Sequence, residues 1–261
     1  YIMNKIIKLS SGLRIVHKYK PNVRSVAMGV FVGAGSRAET PQNNGISHFI
    51  EHMCFKGTKR RSAFKIVEEI DGLGAQINAF TSKELTAYYT YCIDEYVEKC
   101  ADILSDIFIN HTFLEDDLQK ERGVVLEEIA MVQDTPDDLS QELASKAYWG
   151  DNSLGMSILG SAENINGFTS SDLFAYEKEH YVSENIVISI AGNITEEKAI
   201  EIVNKFFNVK IGNIDKKYIN VDRNGEKLNI SVKQIEQANI SLVYPSVKNV
   251  GIYEPALNIL N

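Results

Sequence analysis

The residues best suited to chemistry are two histidines and a glutamate, His48, Glu51 and His52, in the pentapeptide His-Phe-Ile-Glu-His. Histidines four residues apart project from one face of a helix, about one turn apart, so both imidazoles can reach a single metal ion. A carboxylate beside such an ion can act on a water bound to it. The spacing therefore predicts two ligands of a metal site, although two partly buried histidines without metal fit it as well. The histidines without this spacing, which we expect to be structural, are His17, His111 and His180.

A third ligand is required, because catalytic zinc usually takes three protein ligands and one water. Glu128 lies in a predicted helix, and its neighbours three and four positions away are all apolar. A carboxylate on an apolar helix face is costly unless it is paired, hydrogen-bonded or bound to metal. Pairing with an arginine or lysine is the alternative to metal. Glu121, seven residues earlier on nearly the same face, is too far to bind the ion and suits a role in orienting a ligand or water.

The elements that would position these residues follow from the hydrophobic pattern of the chain. Apolar alternation and apolar runs predict strands at 5–9, 13–16, 26–32, 77–81, 85–91 and 185–191. Helical periodicity predicts helices at 45–55, 62–71, 94–110, 115–133, 137–149, 170–181 and 195–207. The two histidines and Glu128 therefore fall on different predicted helices, which must pack together to form one site.

The last fifty residues have a different pattern. Residues 210–225 are polar and lack periodicity, which is typical of a linker, and strands are predicted beyond it at 228–232 and 240–243. A domain that spans only 226–261 is too small to bury a core alone. We therefore expect three regions: a catalytic domain at 1–215, a linker at 216–225, and the truncated beginning of a second, similar domain at 226–261. A truncated domain exposes apolar surface, which favours self-association as a homodimer.

Composition narrows the class of protein. Hydrophobic residues make up 44% and charged residues 24% of the chain, as in a globular protein with a substantial core. The net charge of -8 and the absence of a basic stripe argue against a nucleic-acid partner. No apolar run reaches membrane-spanning length, and the first residues lack the apolar stretch of a signal peptide. Three cysteines are too few for a disulfide framework, so we expect a cytoplasmic protein with reduced thiols.

Three stretches together resemble the M16 (pitrilysin-like) zinc metallopeptidases, in particular the branch that contains mitochondrial processing peptidase and bacterial processing proteases. Residues 48–58, HFIEHMCFKGT, are similar to that branch's HFxEHxxFKGT, in which HxxEH is the inverted form of the HExxH zinc motif. Residues 121–128, ERGVVLEE, resemble its ERxVxxxE helix, and residues 78–81, NAFT, resemble a strand that lines its cleft. The resemblance covers residues 5–215 as one domain.

The resemblance implies an α+β fold, with helices packed on a mixed, largely antiparallel sheet, followed by a second domain of the same fold. It implies that His48, His52 and Glu128 bind one zinc ion per catalytic domain. It further implies that Glu51 is the general base and that Glu121 is a supporting catalytic carboxylate.

The resemblance also implies a substrate, which is a peptide or an unfolded polypeptide. Such a substrate would lie extended against Asn78, Ala79 and Phe80 and would form main-chain hydrogen bonds with that strand. The expected function is that of a zinc-dependent endopeptidase, and the alternative is a non-catalytic, peptide-binding scaffold subunit of the same fold. Family members carry a second half that helps to hold the substrate, so activity of this chain without its missing C-terminal half is left open.

Overall fold

The computed structural model describes residues 5–214 and 225–245. Within these ranges six strands form one sheet: β1 Lys5–Lys8, β2 Arg14–Tyr19, β3 Ser25–Val32, β4 Gln76–Thr81, β5 Thr86–Ile93 and β6 Ile186–Gly192. Their spatial order is β1-β2-β6-β3-β5-β4. Strands β2 and β6 pair in parallel, and every other neighbouring pair is antiparallel. The sheet is thus mixed and largely antiparallel, as predicted.

Eight α-helices accompany the sheet in the described residues: α1 Ile46–Cys54, α2 Ala63–Gly72, α3 Val97–Ile109, α4 Glu115–Asp134, α5 Pro136–Trp149, α6 Ala162–Gly167, α7 Ser170–His180 and α8 Glu196–Phe206. The predicted helices are all present, and the α+β class is confirmed. The pattern did not predict α6, because six residues are too short for a periodic signal. None of the helices within the two described ranges combines the length and apolar character that a membrane crossing requires.

The core lies between one face of the sheet and the helices. Strand β6 shows the alternation expected of a half-buried strand, since Ile186, Ile188 and Ile190 are fully buried and the residues between them are only partly so. Helix α1 packs against this side of the sheet near β4 and β5. Its residues Phe49 and Ile50 are completely buried, so the helix that carries the two histidines is firmly anchored in the core.

Residues 225–245 lie against α5 without regular secondary structure. The strands predicted at 228–232 and 240–243 are therefore wrong for this chain. Their apolar side chains are exposed, and strands need a partner edge or a buried face that this segment does not find among the described residues. The predicted linker at 216–225 lies, apart from Gly225, outside the described residues, as do residues 246–261. The domain limits 1–215, 216–225 and 226–261 therefore stay a prediction.

Candidate active site

The position of α1 is fixed at its N-terminus by a glutamate from the preceding loop. Gly45 stands before the helix in the left-handed region, with φ of 98°, and has no side chain with which to cap it. Glu39 supplies the cap instead: Oε2 accepts a hydrogen bond from Gly45 N at 2.8 Å, and Oε1 accepts one from Ser47 N at 2.9 Å. A carboxylate here also complements the positive end of the helix dipole. The sequence reasoning missed Glu39, because it lies six residues before the cap position.

Three donor atoms converge beside α1. His48 Nε2 and His52 Nε2 are 3.2 Å apart, and Glu128 Oε2 on α4 lies 3.7 Å from the first and 3.5 Å from the second. In a tetrahedral zinc site with bonds of about 2.0–2.1 Å, neighbouring donor atoms are about 3.4 Å apart. The three residues thus fit a zinc ion in donor type and in spacing. They also leave a fourth position for water, as in catalytic zinc sites.

Glu121 and Lys56 orient the second histidine. Glu121 Oε1 lies 2.8 Å from His52 Nδ1, and Lys56 Nζ lies 2.6 Å from Glu121 Oε2. Burial raises the pKa of Glu121, but the bonds to His52 and Lys56 outweigh it, so the pKa lies below its usual value. An ionised Glu121 accepts a hydrogen bond from Nδ1–H of His52, which leaves the Nε2 lone pair available to a metal ion on the side of the ring that faces His48 and Glu128. Lys56 was not predicted, although its position four residues after His52 places it on the same side of the chain.

The two histidines differ in the direction in which their pKa is shifted. Burial, reinforced by the charge of His52, lowers the pKa of His48 to about 4, so this ring is neutral near pH 7 and its lone pair is free. Burial also lowers the pKa of His52, but the hydrogen bond to Glu121 and the negative charge of Glu128 raise it above its usual value. Protons therefore compete with a metal ion more strongly at His52 than at His48.

Glu51 is held on the side of α1 that faces β4. Its Oε2 accepts a hydrogen bond from Thr81 Oγ1 at 2.5 Å. Burial raises the pKa of Glu51, and the bond from Thr81 offsets this only in part. A carboxylate with a raised pKa accepts a proton more readily, which suits a general base. Thr81 stands in the motif NAFT but was not assigned a role from the sequence.

The predicted substrate-binding residues lie on β4, which is an edge strand of the sheet in the described residues. The side chain of Phe80 is 45% exposed. The amide of Ala79 donates to the side-chain oxygen of Asn78 at 2.8 Å. The end of this strand reaches the candidate active site through Thr81, so the structure places a strand edge next to Glu51.

Two family models match the chain. Residues 14–162 match the model described as insulinase (peptidase family M16), and residues 167–260 match the model described as the peptidase M16 inactive domain. The eight residues predicted to form the site lie between positions 48 and 128, within the first match. The second match begins inside the region predicted as the catalytic domain, so the limits of the two models differ from the predicted domain limits.

Similar proteins and structures agree with these matches. A Bacillus subtilis protein described as an uncharacterized zinc protease is 49% identical over 205 residues, which are 78% of this chain and 50% of that protein. The chain spans about half the length of the curated relatives it matches.

Two solved structures show the same fold. A protease from Helicobacter pylori superposes with a TM-score of 0.75 at 24% identity and covers 83% of this chain and 52% of that one. A peptidase M16 inactive domain from Pseudomonas fluorescens gives a TM-score of 0.75 at 17% identity, covering 81% and 52%. At these identities the two structures support the fold alone.

Proposed function

This chain belongs to the insulinase family of peptidases, family M16, and from that premise we propose that it carries the metal-binding and catalytic residues of a zinc-dependent endopeptidase. The convergence of His48 Nε2, His52 Nε2 and Glu128 Oε2 carries the proposal, because their spacing matches a zinc tetrahedron. The description of the Bacillus subtilis relative as a zinc protease supports the choice of metal. The activity of the whole protein, beyond the half that this chain spans, is part of the proposal.

In the proposed reaction, zinc, when bound, lowers the pKa of a coordinated water and polarises the carbonyl of the scissile bond. Glu51 accepts a proton from the attacking water and passes it to the leaving amine nitrogen. Thr81 holds one oxygen of Glu51, which leaves the other oxygen free to face the water. Glu121, itself held by Lys56, keeps His52 in the tautomer that presents Nε2 to the metal.

The proposed substrate is an extended peptide that adds to the free edge of β4. The amide of Ala79 donates to the side chain of the preceding Asn78, and a substrate carbonyl could replace that oxygen. The exposed ring of Phe80 offers an apolar contact for a substrate side chain. Main-chain pairing of this kind selects for extended chain more than for particular side chains. Cytoplasmic location and association as a homodimer remain predictions from the sequence.

The alternative is a non-catalytic scaffold that binds peptides. The observation in its favour is the match of residues 167–260 to a family model described as inactive. That match begins 39 residues after Glu128, the last residue of the proposed site, and includes none of the eight site residues. The hydrogen bond that holds Glu51 beside the converging donor atoms favours the enzyme, because a scaffold has no need of an oriented base.

Zinc content and hydrolysis of an unstructured peptide test the proposal in the full-length protein. We expect hydrolysis that a chelator abolishes and added Zn²⁺ restores. Glu51→Gln should retain zinc and lose hydrolysis, whereas the control Glu127→Gln, which changes the residue next to ligand Glu128, should retain both. Zinc bound without any hydrolysis would favour the scaffold. Unchanged zinc content in His48→Ala would overturn the site itself.

A further inference from the structure

A second group of metal-binding side chains lies on the other side of α1. Cys54 follows His52 by two residues, which turns it by about 200° around the helix and directs it into the core. Around it lie His111, just beyond the end of α3, and Glu177 on α7. Cys54 is completely buried, and His111 is 6% exposed. Cys54 and His111 are 57 positions apart in the sequence, and His111 and Glu177 are 66 positions apart. No local sequence pattern therefore predicted this group, and His111 was expected to be structural.

The donor atoms of these residues form a compact group. Cys54 Sγ lies 3.7 Å from His111 Nδ1, and His111 Nε2 lies 2.8 Å from Glu177 Oε2. One donor atom from each residue lies within 4.8 Å of those of the other two. Neighbouring donors around zinc are about 3.4–3.6 Å apart, so the side chains must move by about 1 Å or more to share one ion, and Cys54 Sγ must turn from the Nδ1 side of the ring towards Nε2. The other oxygen of Glu177 is buried and lacks a hydrogen-bond partner, so this carboxylate has unused capacity to bind a cation.

The charge balance of the group favours a divalent cation. A thiolate and a carboxylate together carry two negative charges, which neutralise one M²⁺ and avoid an unpaired buried charge. A thiolate ligand also selects Zn²⁺ or Co²⁺ over Mg²⁺ and Ca²⁺, which prefer oxygen. When a cation binds, the thiol proton of Cys54 and the Nε2 proton that His111 shares with Glu177 both leave to solvent, and the sulfur and Nε2 form bonds to the metal.

The surroundings hold the imidazole in place. The ring of His111 stacks on Phe113, with centroids 4.3 Å apart, and lies nearly parallel to Phe174 at 6.1 Å. His111 Nδ1 lies 3.1 Å from the carbonyl oxygen of Ile107, an acceptor that keeps Nδ1 protonated and leaves Nε2 for the metal. The hydroxyl of Tyr88, 3.6 Å from Cys54 Sγ, can donate to a thiolate there.

From this geometry we propose that Cys54, His111 and Glu177 form a second metal site that binds Zn²⁺ and ties α1 and α7 to the end of α3. The site is structural, because it is buried and lies away from the strand edge on which substrate would lie. A buried site of this kind loads its metal during folding. The cation would then stabilise the helix that carries His48 and His52 from its inner side.

Cobalt distinguishes the two sites, since a cobalt–thiolate bond gives a charge-transfer absorption in the near ultraviolet that nitrogen and oxygen ligands do not. The full-length protein is produced in medium with Co²⁺ as the only added transition metal. We expect the thiolate band in the wild type and in Cys100→Ala, a control that removes another completely buried thiol. Cys54→Ala should lose the band together with one metal ion per chain.

Further variants keep the test independent of the first site and of folding. His48→Ala should keep the thiolate band, because it changes only the other group of ligands. Glu177→Gln preserves the shape of the side chain and should release the thiolate-bound cobalt to a chelator faster than the wild type. A wild-type protein without the band, or a band that persists in Cys54→Ala, would overturn the proposal. Equal metal content in the wild type and in Cys54→Ala, with circular dichroism showing that both are folded, would also overturn the proposal.

Discussion

Replacement of Glu39 by glutamine should destabilise the fold and weaken metal binding, because Glu39 fixes the point at which α1 begins. Its Oε1 accepts from Ser47 N at 2.9 Å, and its Oε2 accepts from Gly45 N at 2.8 Å and from Asn44 Nδ2 at 2.9 Å. Both oxygens therefore receive donors. An amide group in place of either one directs N–H at N–H, so no orientation of the glutamine keeps all three bonds.

Two effects of opposite sign determine how far the free energy of unfolding changes in Glu39→Gln. A buried donor left without an acceptor costs about 1–3 kcal/mol, and the glutamine leaves at least one. Against this, burial raises the pKa of Glu39 in spite of its hydrogen bonds, so the wild-type carboxylate carries a desolvation cost that a neutral amide avoids. We expect the unmade bonds to prevail and the free energy of unfolding to fall by about 1–3 kcal/mol. The melting temperature should then fall by about 2–10 °C.

Urea unfolding of the wild type and Glu39→Gln measures this loss, and competition with a chelator measures metal affinity. Glu68→Gln is the matched control, because Glu68 lies on the surface of α2 with Lys65 as its partner and should change stability by less than about 0.5 kcal/mol. Metal affinity should fall only in the Glu39 variant, since the start of α1 moves relative to α4. If both variants unfold at the wild-type urea concentration, Glu39 does not hold the helix and the reasoning fails.

Three further predictions concern the proposed catalytic base, a buried ion pair and the pH dependence of metal binding. Thr81→Val should lower the rate of peptide hydrolysis about tenfold, whereas Thr81→Ser should retain most of the rate. Because the pKa of Glu51 rises when the hydroxyl is removed, the acidic limb of the rate–pH profile of Thr81→Val should move to higher pH. Asp106→Asn should lower the free energy of unfolding by about 3 kcal/mol in urea titrations, because the fully buried carboxylate lies 2.8 Å from the guanidinium of Arg61. A loss below about 1 kcal/mol would contradict this prediction. Below pH 6.5, zinc affinity in chelator competition should fall by about tenfold per pH unit, because a proton competes with zinc at His52, whose pKa lies above its usual value of 6.5. A flat profile would contradict the raised pKa of His52.

The elements that carry the site were predictable, because their signals are local. The four-residue spacing of His48 and His52 and the apolar neighbours of Glu128 each depend on one helix and can be found without tertiary information. The structure brings the three side chains together, and their roles as ligands stay a prediction. The two strands that end at Thr81 and begin at Thr86 were likewise evident from their alternation.

Features that depend on distant pairing were not predictable. The parallel pairing of β2 with β6 joins residues more than 170 positions apart and leaves no mark on either strand. The alternation at 228–232 indicated strand propensity, but propensity becomes a strand only where a partner edge or a buried face is available. The bond from Thr81 to Glu51 and the group around Cys54 were missed for the same reason, since each joins residues at least 30 positions apart.

Helix α1 carries residues of both proposed metal-binding groups, and the way it is anchored decides how a loss of activity is interpreted. Glu39 fixes the start of the helix, and Thr81 holds Glu51 on its outer side, but neither contributes a donor atom to the converging group of His48, His52 and Glu128. A variant of Thr81 that keeps zinc but hydrolyses slowly therefore has a misplaced base and an intact metal site. A variant of Glu39 that loses both zinc and hydrolysis has a displaced helix α1. Metal content measured beside the rate thus separates the orientation of the base from the position of the ligands.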